Sequence, residues 1–116
     1  MLVDWSRLDS LIQADDEDDK EWLSEMIESL KTNMSSRLTN IVSFSSDQKQ
    51  SELQAELHQT KGVAANFGLE KLRTTIANAE ELLKNGNLTS CHELCSSLGE
   101  IWTQTKAELN TKYPGK

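Results

Sequence analysis

Apolar residues recur along this chain at steps of three and four, the spacing of one helix face, in one short and four longer segments. The short segment runs from about Trp5 to Gln13, with Leu8, Leu11 and Ile12 on one side. An acidic run, Asp15-Asp16-Glu17-Asp18-Asp19, then leads into a long segment striped by Leu23, Met26, Ile27, Leu30, Met34, Leu38 and Ile41. Ser43-Phe44-Ser45-Ser46-Asp47 reads as a turn, with Ser46 or Asp47 placed to cap the next helix. The third segment carries Leu53, Leu57, Thr60, Ala64 and Phe67. The fourth carries Leu69, Leu72, Ile76, Ala79 and Leu83 and stops at Asn85-Gly86. The last starts near Thr89 or Ser90 and carries Cys91, Leu94, Leu98, Ile101, Thr105 and Leu109. In the last three segments the steps alternate threes and fours, the packing seam of antiparallel bundles, and the short loops favour up-down neighbours. The pattern predicts an all-α chain: an antiparallel up-down four-helix bundle, with a short additional N-terminal helix covering one end, as one domain over residues 1–116.

Composition narrows this without changing it. With 116 residues, 36% hydrophobic and 27% charged, the chain can bury one core without staples. Five glycines and the single Pro114 are too few for the turns of a sandwich or barrel. There is no repeat or linker, no apolar run near the roughly 18 residues of a membrane span, and no signal-peptide pattern at the start. Met1 and the short ends are read as those of a free-standing protein. The net charge of −7 argues against a nucleic-acid groove, which needs a basic face. The charge is uneven: residues 1–58 hold 13 acids against 5 bases, and residues 59–116 hold 6 against 7. The second half therefore meets its partner as a nearly neutral surface. The acidic run lacks the glycine and alternating ligands of a calcium loop, and reads as acids favoured at a helix start by the macrodipole. Cys91 and Cys95 share one helix face, where an internal disulfide is geometrically poor, and read as reduced core thiols of a cytoplasmic protein.

His58 carries the functional reading. On a wheel of about 100° per residue, Leu53, Leu57, Thr60 and Ala64 form the buried stripe of the third segment. Gln54, His58, Lys61, Gly62 and Ala65 fall together outside it, with His58 roughly 140° from the stripe's middle. Lys61 follows His58 by one turn, and Gly62 stands at i+4. A glycine inside a helix costs about 1 kcal/mol relative to alanine, so an exposed glycine beside an exposed histidine suggests that something large approaches the imidazole.

The stretch from Glu56 to Leu69, Glu-Leu-His-Gln-Thr-Lys-Gly-Val-Ala-Ala-Asn-Phe-Gly-Leu, resembles the histidine-containing phosphotransfer domains of phosphorelays. That family has a histidine, lysine and glycine at the third and fourth places after it, and a second glycine six further on. His58, Lys61, Gly62 and Gly68 match all four, with Leu69 and Leu72 at the apolar core positions that follow. Val63 departs from the small residue frequent after the first glycine, which bears on packing or footprint rather than on chemistry. The resemblance implies a four-helix bundle whose exposed histidine, His58, accepts a phosphoryl group from an aspartyl phosphate on a receiver domain. It would then pass the group to a second receiver, that of a response regulator, the first belonging to a hybrid sensor kinase. Gln54 and Ala65 would lie in the partner's footprint, and Gly62 would give access.

The residue chemistry agrees with this. Imidazoles titrate near pH 6.5, so at neutral pH one ring nitrogen is available as a nucleophile. Lys61, one turn away, offers a point cation to the transferring oxygens. Magnesium and its acidic ligands are expected on the receiver, with no cofactor or metal here. The chain has no phosphate-cradling loop ending in Lys-Ser/Thr, and is expected to be a phosphocarrier rather than an ATP-using enzyme, without membrane or nucleic-acid partners and monomeric. Two other readings stay open: a non-phosphorylated helical adaptor using the same face, and a metal-binding bundle using Cys91, His92 and Cys95. Against the latter, His92 lies about 100° off Cys91 and reads as surface.

Overall fold

A computed structural model describes residues 1–11 and 16–113. Ile12, Gln13, Asp15 and Pro114, named above, lie outside the described residues. The chain is all-helical: α1 spans Trp5–Asp9, α2 Glu17–Ser46, α3 Gln50–Asn66, α4 Glu70–Lys84 and α5 Leu88–Lys112. No helix among the described residues is long and apolar enough to cross a membrane.

The long helices form a ring of contacts, α2 on α3 and α5, and α4 on α3 and α5. Contacts between α2 and α5 run in opposite order along the two helices. Lys31 Nζ donates to the Tyr113 carbonyl (2.9 Å), Trp102 Nε1 to Ser35 Oγ (3.0 Å), and Ser45 Oγ meets His92 Nδ1 (2.8 Å). Arg37 of α2 pairs with Glu56 of α3 at 3.2 Å. The core is the stripe of each helix, including Leu23, Ile27, Leu57, Ile76 and Leu98, together with Leu8 of α1.

The acidic run opens α2. Asp16 caps it, accepting from the backbone N–H groups of Asp18 (2.9 Å) and Asp19 (3.2 Å), with Glu17, Asp18 and Asp19 in the first turn.

Three readings of the pattern need correction. Met26 is 36% exposed, because the seam facing α3 and α5 is already filled by Leu23, Ile27 and Leu30, and Met26 lies off its edge. Ser43–Ser46 are not a turn but the end of α2, carried on by Phe44 packing against the core, which overrides the modest helix propensity of serine. The turn falls on Asp47–Lys49, with Gln48 at φ 57°; Asp47 closes α2, and Lys49 precedes α3 without a side-chain cap. In α5, which starts at Leu88, Leu94 and Ile101 are half-buried, while Cys95 and Trp102 are buried. Its inner stripe is Cys91, Cys95, Leu98, Trp102, Thr105 and Leu109, because the indole N–H finds Ser35 and lets Trp102 turn inward.

The short α1 is tied to the α3–α4 turn and to the end of α5. Asp4 N–H donates to the Gly68 carbonyl (2.7 Å), Arg7 Nε to the Asn66 carbonyl (3.1 Å), and Trp5 stacks on Tyr113 with ring centroids 6.5 Å apart. Gly68 has φ +68°, and a Cβ there would stand 2.6 Å from the Asp4 carbonyl oxygen.

Candidate functional site

Leu53, Leu57, Thr60 and Ala64 are all buried, as the wheel of α3 predicts, which turns the opposite side of this helix to solvent. His58 is there, its side chain 71% exposed. Gln54, Gly62 and Ala65 are exposed beside it, and Lys61 is partly covered at the α4 side. A Cβ built on Gly62 meets nothing within 4 Å, so no helix packs closely against it. Gly62→Ala is therefore expected to raise stability by about 0.5–1 kcal/mol, read as a higher melting temperature.

The residue that sequence reasoning missed is Glu80 of α4. Its side chain is only 4% exposed, and three groups converge on it. His58 Nδ1 lies 3.1 Å from Oε2, Lys61 Nζ 2.5 Å from Oε1, and Lys84 Nζ 4.0 Å from Oε2. Burial pushes the Glu80 carboxyl up, but the hydrogen bond and charge of Lys61, the hydrogen bond from His58 and the charge of Lys84 outweigh it and hold the group below its ordinary 4.5. The signal was present: an acid stands one turn after Ile76 and three residues before Leu83, inside an apolar stripe. Such an acid needs partners, and α3 offers a histidine and a lysine one turn apart on one face.

An ionised carboxylate accepts hydrogen bonds and donates none. The Nδ1 of His58 therefore carries a hydrogen, and in the neutral ring the lone pair is left on Nε2. His92 differs. It is exposed, but its Nδ1 partner is the Ser45 hydroxyl, which can donate or accept and so selects neither tautomer. Cys91 and Cys95 are buried next to it as free thiols. Burial and the neighbouring Cys91 push the Cys95 thiol up to about 12, and burial raises that of Cys91, so both are held as neutral thiols.

One open groove runs along this face, lined by Ser51, Gln54, Ala55, His58, Glu80 and Lys84.

No curated protein and no solved structure matches the chain significantly. A family model described as Hpt domain matches residues 20–110, a span that holds His58, Lys61, Gly62, Gly68 and Glu80 and most of α2 to α5. Domains of this kind carry phosphoryl groups on histidine in phosphorelays and work with receiver domains. On this match the chain belongs to the Hpt domain family, as the residues around His58 led one to expect.

Proposed function

We propose that His58 is the phosphoryl acceptor, taking the group from an aspartyl phosphate on the receiver of a hybrid sensor kinase and passing it to the receiver of a response regulator. The observation that carries this reading is the Nδ1 hydrogen bond of an exposed His58 to the buried, ionised Glu80. In the forward step the Nε2 lone pair forms the N–P bond. The P–O bond to the receiver's aspartate breaks, and its electron pair leaves on that carboxylate. The Nδ1 hydrogen stays on the ring, shared with Glu80, which offsets the positive charge the imidazole gains. The return to a second receiver reverses these changes. Little covalent work is asked of the protein; positioning and charge supply the rest.

The other residues take supporting roles. Lys61 assists with its charge through Glu80, Gly62 leaves bare backbone where a partner must close to about 3–3.5 Å for in-line attack, and Gln54 and Ala65 lie in the footprint. The chain acts as one domain, an up-down four-helix bundle with α1 over one end, and as a monomeric phosphocarrier without a cofactor. Magnesium belongs to the receiver. The paired reduced thiols in the core suit a cytoplasmic protein.

The test is incubation of the full chain with a radiolabelled phospho-receiver, followed by removal of the receiver. The expected result is acid-labile, base-stable label on the chain; absence of label favours an adaptor role. Glu80→Gln should fold and slow transfer about 10–100-fold, the range for losing a partner that orients a histidine. The same substitution has a pH signature. A carboxyl held low when folded stabilises the fold above its unfolded value of 4.5, and this contribution is lost as pH falls through the lower folded value. The wild type should therefore lose stability in acid more steeply than Glu80→Gln, as read by melting temperatures on both sides of that range.

A further inference from the structure

Two lysines flank His58, and their tethers differ. Lys61 Nζ sits at hydrogen-bond distance from Glu80 Oε1, 2.5 Å, and its side chain is 32% exposed. Lys84 Nζ is 4.0 Å from Glu80 Oε2, beyond hydrogen-bond reach, and is 50% exposed. Glu80 is deeply placed, and a buried carboxylate stripped of its hydrogen-bonded cation is costly. Loosening an i,i+4 pair at a helix surface costs little. A dianionic group arriving at His58 therefore draws Lys84 away from Glu80 far more readily than it draws Lys61.

The groove agrees in position. Its lining includes Lys84 and His58, with the hydroxyl of Ser51 and the amide of Gln54 as donors, and the small Ala55 leaves room. Lys61, Gly62 and Ala65 are not part of it. Glu80 also lines it, but its two oxygens are engaged by His58 and Lys61.

Resting on the reading of His58 as acceptor, we propose that its phosphoryl group lies in this groove, held by Lys84 with Ser51 and Gln54 as donors. Lys61 is then a positioning residue that acts through Glu80. The phosphoryl oxygens turn toward Lys84, and the Gly62 side of the imidazole stays clear for the partner.

Phosphoramidate tests this without any receiver. The Nε2 lone pair forms the new N–P bond as the donor's P–N bond breaks and its electron pair leaves on ammonia. The full chain, Lys84→Met and Lys61→Met are compared, with circular dichroism to check folding. Lys84→Met should slow phosphorylation about fivefold, the size of one exposed charge contact. It should also raise the apparent pKa of the phosphoryl group, followed by phosphorus NMR. Lys61→Met should move that titration less and instead place some phosphate on Nδ1, with Lys61→Arg restoring the wild-type position. A Lys84→Met variant matching wild type in rate and titration would overturn the proposal, as would a larger titration shift in Lys61→Met. If neither phosphoramidate nor a phospho-receiver labels His58 of the wild type, the acceptor reading itself fails and the subsite with it.

Discussion

His58→Gln is expected to remove all phosphoryl transfer to the chain while leaving the fold intact. The side chain is 71% exposed and contributes no core packing, so its loss touches only the bond to Glu80. Glu80 keeps Lys61, and the glutamine amide offers a donor in place of Nδ1, so the stability change should stay within about 1 kcal/mol. Glutamine has no nucleophilic lone pair on nitrogen, so the label should fall to background rather than merely slow. His92 does not rescue it, because no carboxylate fixes its tautomer. The check is labelling by a phospho-receiver beside a thermal melt.

Gly68→Ala is expected to cost about 3 kcal/mol of stability, lowering the melting temperature by roughly 10–15 °C. The left-handed backbone at φ +68° accounts for about 1–2 kcal/mol of this in any residue with a Cβ. The rest comes from the Asp4 carbonyl oxygen, which the new Cβ would meet at 2.6 Å. That carbonyl cannot retreat cheaply. It accepts from Arg7 N–H (3.1 Å) at the start of α1, and the Asp4 N–H is itself bound to the Gly68 carbonyl (2.7 Å). The two glycines of the motif thus do opposite things. Gly68 is demanded by the fold, whereas nothing in the fold demands Gly62.

What could be read in the sequence was whatever depends on local periodicity. The stripe Leu53, Leu57, Thr60 and Ala64 is set by turns of one helix, and it placed His58 in solvent. The stop at Asn85-Gly86 followed from local turn chemistry, with Gly86 at φ +76°. What failed depends on contacts between helices. Glu80 is 22 residues from His58, and only the register of α4 against α3 brings the two together. The inward turn of Trp102 depends on a hydroxyl on another helix, which the periodicity of α5 alone does not show. The serines around Phe44 have the local propensity of a turn, and the core that Phe44 packs against makes them helical. Gly68 matched a pattern, but its physical reason, the close approach of Asp4, spans most of the chain.

The most direct measurement is the position of the phosphate in the phosphorylated wild-type chain, by phosphorus–proton correlation NMR of the histidine rings. With Nδ1 held on Glu80, the phosphate should sit on Nε2 of His58 and nowhere else. Phosphate on Nδ1 of His58, or on either nitrogen of His92, would contradict the assignment of His58 Nε2 as the acceptor.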